Sequence, residues 1–246
     1  MYQDILTIAV VTVFAFFAIY WMWFQGEVDG SRLIAKNSMK QQKFNIILVL
    51  VAAFIVKAIL AVKNEGYSVD ITCFRSWSET VFTGGLSHFY EGDVTDYPPG
   101  YMLVLWLVAA IRHLFNIDNY STTGLFMIKL FPMLFDLAAA YLIYVMAKKR
   151  FSEGMSLMLS ALYALNPAVV IDSSVWGQVD GVLCCMVLLT CYLFMEEKRI
   201  LAYFAFCAGV LLKPQMVMFA PIIIYSIIEQ VFLHDFNTKK LLRDLI

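Results

Sequence analysis

The sequence predicts an all-α polytopic membrane protein with about seven transmembrane helices and one large first extracytoplasmic loop. Apolar residues make up 61% of the chain and charged residues 15%, whereas soluble domains average about 45–50% and 25%. A membrane helix needs about 20 apolar residues, and seven apolar runs reach or approach that length. The seven runs are Ile5–Phe24, Phe44–Val62, Leu125–Ala147, Met155–Ile171, Val182–Met195, Ile200–Leu212 and Met216–Leu233.

The basic residues decide the topology. They collect in four clusters, at positions 32–43, 148–150, 198–199 and 239–243. The positive-inside rule asks that all four be cytoplasmic, and this holds only if the short apolar run Tyr101–Ile111 does not cross the bilayer. The sequence therefore predicts seven spans with the N-terminus outside and the C-terminus inside. Residues 101–115 would form a helix that lies on the outer leaflet or dips into it.

This topology divides the chain into segments. Residues 1–43 are an extra N-terminal span and a cytoplasmic linker, residues 44–233 are the transmembrane module, and residues 63–124 are its outer loop. Residues 234–246 form a cytoplasmic tail. The chain is thus expected to be a multi-pass integral protein among membrane lipids, in the plasma membrane of a bacterium or the endoplasmic reticulum of a eukaryote.

Composition and motifs exclude several functions. A net charge of −1 gives no basic field for nucleic acid, so no nucleic-acid partner is expected. The sequence has no P-loop, no Rossmann glycine pattern and no nucleophile elbow. Its three histidines have no metal-ligand spacing, and no cofactor is expected.

The outer loop holds a cluster of carboxylates. A helix is predicted from an N-cap at Ser68 to a stop at Gly84-Gly85. Asp70 lies in its first turn, two turns before Trp77, so the two residues share a face. Two interpretations remain: Asp70 is a catalytic carboxylate, or it only stabilises the start of an interfacial helix. The carboxylates are Glu65, Asp70, Glu79, Glu91, Asp93 and Asp96.

Charged residues lie within the predicted spans Phe44–Val62 and Leu125–Ala147. Lys57 and Lys129 lie near outer ends and are expected to extend their ammonium groups to the interface. Asp136 lies near the middle of its span, where a carboxylate costs about 2.5–3.5 kcal/mol. It should therefore face the interior of the bundle, at about 10 Å from Lys129 along the helix. Its role is either a packing hydrogen bond or a functional one.

Two further outer turns are polar. Residues 171–181 carry Asp172, Trp176, Gln178 and Asp180, either as a solvated hairpin or as part of a shared site. Lys213 stands at another outer turn, as an interfacial lysine or as a cation for an anionic lipid headgroup. A carboxylate can accept a proton from an attacking hydroxyl, and Lys and Arg can hold a phosphate.

Four pieces of sequence resemble the C-type glycosyltransferase (GT-C) superfamily, whose members take a sugar from a polyprenyl-phosphate carrier. Asp70 to Arg75-Ser76-Trp77 is similar to its D-x-x-x-x-R-x-W, and Asp96-Tyr97-Pro98-Pro99 to its D-Y-P-P. The segment from Ile171-Asp172 to Asp180 is similar to I-D-…-F-Q-Y-N. Lys213-Pro214-Gln215-Met216 is similar to K-Q-M. The closest likeness is to lipid-linked-oligosaccharide glucosyltransferases and to bacterial proteins similar to the GPI mannosyltransferases.

The resemblance implies about seven conserved spans and juxtamembrane helices in the first outer loop. It also implies transfer of mannose or glucose, with inversion, to a hydroxyl of a lipid-linked glycan, glycolipid or protein outside the cytoplasm. Asp70 would be the general base, and Lys213 and Arg75 would bind the donor phosphate. The sugar or acceptor site would be lined by Asp96, Tyr97, Asp172, Trp176, Gln178, Asp180 and Gln215. Family members usually have further spans, so the chain is expected to be truncated.

Two other functions stay open. A transporter or lipid flippase would place polar groups at the midplane and show two related halves; only Asp136 favours it. A non-catalytic membrane subunit is the other alternative, in which replacing Asp70 would change nothing but assembly.

Overall fold

A computed structural model describes residues 39–91, 95 and 97–229, and these residues are helical with no strand. The predicted span Ile5–Phe24, the tail from 234 and Asp96 therefore lie outside the described residues. The helices are α1 (Met39–Lys63), α2 (Ser68–Glu91), α3 (Pro99–Leu114), α4 (Thr122–Ala147), α5 (Glu153–Ala164), α6 (Pro167–Val170), a π-helical turn (Ile171–Trp176), α7 (Asp180–Met195), α8 (Arg199–Leu212), a 3₁₀ helix (Pro214–Phe219) and α9 (Ala220–Ile228). The all-α membrane architecture predicted from the sequence is confirmed.

Two of the described helices are long and apolar enough to cross a membrane. They are α1 with 25 residues and α4 with 26, each about 37–39 Å long at 1.5 Å per residue. The predicted spans Phe44–Val62 and Leu125–Ala147 lie within them. The helices at the remaining predicted positions, α7, α8 and Pro214–Ile228, are shorter apolar helices, and the total of seven spans stays a prediction.

The predicted span Met155–Ile171 is broken. Helix α5 ends at Ala164, and the segment from Pro167 to Trp176 continues at an angle of 47° to it. The cause is the Asn166-Pro167 pair, because a proline disfavours helical conformation in the residue before it and lacks an N–H for the preceding turn. Asn166 caps the new helix by accepting a hydrogen bond from the Ala168 N–H at 2.9 Å.

Helix α8 ends at Leu212, where the predicted run Ile200–Leu212 also ends. Lys213 is extended, with φ −148° and ψ 119°, as the residue before a proline prefers.

The outer-loop helices begin where the sequence predicts. Helix α2 begins at Ser68, and its helical conformation is interrupted at Gly85, with φ 76° and ψ 173°. This confirms a break at the Gly84-Gly85 pair, although helical residues follow to Glu91. Residues 101–115 were expected to be helical, and α3 runs from Pro99 to Leu114, with Phe115 as its C-cap.

The chain divides into two compact units. Among the described residues, the first comprises 39–72 and 118–181, and the second comprises 73–91, 95, 97–117 and 182–229. In the first unit α1, α4 and α5 pack together through small side chains, with Ala53, Ala140 and Ala164 fully buried at one level. Ser160 donates a hydrogen bond to the Ala140 carbonyl at 2.8 Å. Small residues permit the close approach on which helix packing in membranes depends.

In the second unit, α3 packs against α8 at Gly100. A Cβ at Gly100 would lie 2.6 Å from the Leu211 carbonyl oxygen, so a larger residue would separate these helices. Between α2 and α3, the buried Arg112 and the half-exposed His113 both bond to Glu79. These contacts fix α2 against α3 within the outer loop.

Candidate active site

Asp70 is held by two side chains that follow the break in the α5–α6 span. Its Oδ2 accepts a hydrogen bond from the indole Nε1 of Trp176 at 2.8 Å and another from Nε2 of Gln178 at 3.1 Å. Both bonds go to the same oxygen. Within the described parts of the chain, no group donates a hydrogen bond to Oδ1. The carboxylate is therefore oriented through one of its two oxygens.

Trp176 is positioned by the turn that precedes α2. The Tyr67 N–H donates to the Trp176 carbonyl at 2.9 Å, and the two rings lie 5.1 Å apart at an angle of 45°. The indole is nevertheless 45% exposed. Trp176 thus keeps its N–H on Asp70 while part of its ring remains accessible.

Two glycines let these segments approach each other. Gly177 ends the π-helical turn with φ +87°, and a Cβ there would lie 2.7 Å from Ile71 Cδ1. Gly66 also has positive φ, and its Cβ would lie 2.7 Å from the Trp176 carbonyl oxygen. Positive φ is accessible to glycine without steric cost. Both positions therefore favour glycine for conformation and for space.

A hydrogen-bonded turn orients Gln178. The backbone N–H groups of Gly177 and Gln178 both donate to the Asp172 carbonyl at 2.9 Å. The Gln178 side-chain oxygen accepts from the Val179 N–H at 2.9 Å, which directs its amide nitrogen toward Asp70. The backbone of Asp172 thus contributes to the site, and its side chain is half-buried.

Lys57 and Asp136 form a buried ion pair in the first unit, with 2.8 Å between Nζ and Oδ2. Lys57 is fully buried, and its Nζ also donates to the Val169 carbonyl at 3.2 Å and to Ser173 Oγ at 3.1 Å. The expectation that Lys57 reaches the interface is wrong, because a carboxylate and the broken span supply its partners inside the protein. The expectation that Asp136 faces the interior is confirmed.

Lys129 is also fully buried, so its expected extension to the interface is wrong too. Its Nζ donates to the carbonyls of Asn64 at 2.7 Å, Ser174 at 3.0 Å and Val175 at 3.3 Å. The Asn64 carbonyl directly follows α1, and the Ser174 and Val175 carbonyls lie in the last turn of the π-helical segment. Carbonyls at helix ends lack partners in their own helix and carry partial negative charge, which explains why the ammonium remains inside.

Asp136 lies tightly against the start of α7. A Cβ on Gly181 would overlap with Asp136 Oδ1, so a larger residue there would have to displace the carboxylate. The close approach brings the second carboxylate oxygen to the first turn of α7, where a helix favours negative charge. Asp180, the residue before it, begins α7 and is exposed.

The other expected site residues belong to the second unit. Arg75 and Tyr97 are half-buried, Gln215 is exposed in the 3₁₀ helix, and Lys213 is only 5% exposed at the end of α8. Direct contact with Asp70 is made by Trp176 and Gln178.

Tyr97 belongs to an aromatic cluster in the outer loop. Its ring lies 5.8 Å from Phe74, 5.5 Å from Trp77 and 5.3 Å from Tyr101. Tyr101 is buried, and burial, reinforced by Tyr97, raises the pKa of its phenol well above the ordinary value. Tyr101 therefore stays neutral and is no candidate for a base.

Sequence reasoning did not identify several residues that shape this site. Lys57 and Lys129 bond to the broken span, Lys57 at Ser173 and Lys129 at Ser174, while Tyr67 and Gly177 position Trp176. A signal for the lysines exists, since an ionisable residue within an apolar run marks a functional or paired position by default. For Tyr67 and Gly177 no such signal exists.

Comparison with known proteins identifies relatives of most of the chain. Residues 96–242 match the model of a family described as dolichyl-phosphate-mannose-protein mannosyltransferase, a match over more than half of the sequence. The matched region contains Trp176, Gln178 and Lys213 and begins after Asp70. A relative is GPI mannosyltransferase 1 of Saccharomyces cerevisiae (strain ATCC 204508 / S288c), 27% identical over 128 residues. That alignment covers 50% of this chain and 29% of the yeast protein. No solved structure matches the chain.

Proposed function

Since the chain belongs to the dolichyl-phosphate-mannose-protein mannosyltransferase family, we propose that it transfers a hexose from a polyprenyl-phosphate carrier to an acceptor hydroxyl, with Asp70 as general base. Mannose is the first candidate sugar, because both the family and the yeast relative are named for mannosyl transfer. The acceptor is a lipid-linked glycan, a glycolipid or a protein. The reaction takes place on the extracytoplasmic or lumenal side.

The arrangement of the Asp70 carboxylate carries this proposal. Trp176 and Gln178 hold Oδ2, so Oδ1 is the atom that accepts the proton of the acceptor hydroxyl. A base must lie within hydrogen-bond reach of the proton that it removes. A carboxylate fixed through one oxygen keeps the other in a constant position for this contact.

The chemical step is a direct displacement. As the hydroxyl oxygen forms a bond to the anomeric carbon, the bond from that carbon to the phosphate oxygen breaks. The proton passes to Asp70, and polyprenyl phosphate leaves with the electron pair of the broken bond. One displacement inverts the anomeric configuration.

The leaving phosphate needs positive charge, and Lys213 and Arg75 are the proposed source. Lys213 is buried at the end of α8, and Arg75 is half-buried in α2. An ammonium away from bulk water interacts more strongly with a phosphate than one in water does. Asp96, Tyr97, Asp172, Asp180 and Gln215 are proposed to complete the sugar and acceptor site.

Donor binding and transfer, measured separately, test the proposal. Purified protein is titrated with polyprenyl-phosphate-mannose and polyprenyl-phosphate-glucose, and transfer is followed with radiolabelled donor. The asparagine in Asp70→Asn keeps the size of the side chain but cannot accept the proton. This variant should bind donor like the wild type and lose transfer by about a hundredfold or more, within the range of general base catalysis.

Two lysine variants accompany that test. Lys213→Ala should weaken donor binding, whereas Lys149→Ala, which removes an exposed lysine, should bind normally. Undiminished transfer by Asp70→Asn would remove Asp70 as the base. Absence of binding to either donor by the wild type would instead favour a non-catalytic membrane subunit.

A further inference from the structure

We propose that Lys129 is a positioning residue for the candidate active site, joining the segment that carries Asp70 to the segment that carries Trp176 and Gln178. The inference rests on the proposed function for its effect on catalysis, but its structural content is independent of that function. Lys129 touches no reacting atom and acts through the backbone of both segments.

The contacts of the ammonium group reach both segments. On one side Nζ donates to the Asn64 carbonyl at 2.7 Å and lies 3.4 Å from that of Ala61. Asn64 belongs to the turn that leads into α2 and Asp70. On the other side Nζ donates to the carbonyls of Ser174 and Val175 at 3.0 and 3.3 Å. Val175 directly precedes Trp176, so one cation holds the two chains where the site forms.

The length of the lysine side chain matters as well as its charge. At Gly177, between Trp176 and Gln178, a Cβ would lie 3.3 Å from Lys129 Cε. The methylene chain therefore lies directly beneath the turn that presents both donors to Asp70. An apolar residue at position 129 could fill the same space, but it would leave the carbonyls without the ammonium.

Burial strengthens the hydrogen bonds of the Lys129 ammonium. Lys129 is 0% exposed, and hydrogen bonds from a charged donor are stronger than neutral ones and stronger still away from water. The π-helical turn also lacks the regular hydrogen bonds of an α-helix. The carbonyls of Ser174 and Val175 are thus fixed by a side chain from α4.

The test reads the position of Trp176 directly. The protein is labelled with 5-fluorotryptophan, and ¹⁹F NMR resolves its five tryptophans. Trp176→Phe assigns the Trp176 resonance, and Trp106 of α3 serves as an internal reference. Lys129→Met keeps the length of the side chain and removes the ammonium. Lys129→Gln keeps two donors on a shorter chain and serves if the methionine variant does not fold.

The matched control is Lys148→Met. Lys148 follows α4, 19 residues or about 28 Å from Lys129 along the helix, and it also bonds to other elements, at Gln42 and Glu153. We expect the Lys129 variants to shift or broaden the Trp176 resonance and to leave Trp106 unchanged. The control should leave both unchanged.

Kinetics give the second readout. In a Lys129 variant, transfer should show kcat lowered by about tenfold or more with little change in KM for the donor, because donor phosphate binding is assigned to other residues. A Trp176 resonance that stays in place in the folded Lys129 variant overturns the proposal. If the wild type shows no transfer at all, the proposed function fails, and the NMR comparison still decides the positioning role.

Discussion

The indole N–H of Trp176 donates to a carboxylate oxygen of Asp70 at 2.8 Å, although 106 positions separate the two residues in sequence. The Tyr67 backbone binds the Trp176 carbonyl on the same side. The contact joins the start of α2 to the end of a broken span. It defines which carboxylate oxygen faces the substrate in the proposed reaction.

Replacing Trp176 by Phe should lower transfer without loss of fold. The phenyl ring keeps the contact with Tyr67 but cannot donate a hydrogen bond. A hydrogen bond to a charged group contributes about 1.5–3 kcal/mol, so kcat/KM should fall by about ten- to a hundredfold if the bond acts in the transition state. Steady-state transfer assays measure this. Gln178→Leu removes the other donor, and unchanged rates in both variants would contradict the role of Oδ2.

Gly177→Ala should disturb the site more than a glycine substitution with at least as much backbone strain. Gly177 is left-handed, with φ 87° and ψ 23°, and a non-glycine residue in such a conformation costs about 1–3 kcal/mol. Gly85, with φ 76° and ψ 173°, lies in a region that is essentially restricted to glycine. Only at Gly177 does the added Cβ meet a neighbour, Ile71 at 2.7 Å, whereas at Gly85 nothing lies within 4 Å.

We therefore expect both alanine variants to unfold at lower temperature and only Gly177→Ala to lose transfer. Thermal unfolding in detergent and transfer assays measure the two effects. Equal transfer by the two variants would show that the contact with Ile71 does not matter.

The Lys57–Asp136 pair should depend on both partners. Both side chains are buried, and removing one partner leaves an uncompensated charge that costs about 3–5 kcal/mol. Lys57→Met and Asp136→Leu should each lower the free energy of unfolding by such an amount. The double variant should be markedly more stable than the sum of the single losses predicts, because no charge is left alone. Additive losses would mean that the ion pair contributes little.

Topology can be tested with single cysteines in a chain whose five native cysteines are replaced. Tyr120 is 75% exposed and lies in the predicted outer loop, while the exposed Lys149 lies in a predicted inner cluster. A membrane-impermeant maleimide applied from outside should label a cysteine at position 120 and spare one at position 149. Labelling at 149 would refute the seven-span topology. Ser173, which also lies in a predicted outer turn, is fully buried and therefore unsuitable for labelling.

Local features of the fold could be predicted from the sequence. Helix-length apolar runs identify α1 and α4, and the Gly84-Gly85 pair identifies the break in α2, because both signals depend on neighbouring residues. The break of the α5–α6 span was missed even though Asn166-Pro167 lies inside the predicted run. Apolar length alone predicts one continuous span, whereas Pro167 disfavours helical conformation in the residue before it.

The site was only partly predictable. The motif resemblance predicted Asp70, Trp176 and Gln178 as site residues, and the structure places Trp176 and Gln178 in contact with Asp70. The roles of Lys57 and Lys129 depend on partners that are at least 79 and 45 residues away in the sequence. The positions of the two lysines near the ends of apolar runs predicted instead that their ammonium groups reach the membrane interface. Nothing local tells a lysine near a helix end whether carbonyls of another segment will surround it.

The pairing of Lys57 with Asp136 has a consequence for biosynthesis. The lysine is translated 79 residues before its partner, which at about 5–20 residues per second corresponds to about 4–16 s. During that interval α1 carries an unpaired ammonium near one end, where a charge costs less than the about 2.5–3.5 kcal/mol of the bilayer centre. The rest of α1 is apolar enough to enter the membrane, and the ammonium gains its carboxylate partner only when α4 arrives. Completion of the first unit is thus coupled to the order in which its helices leave the ribosome.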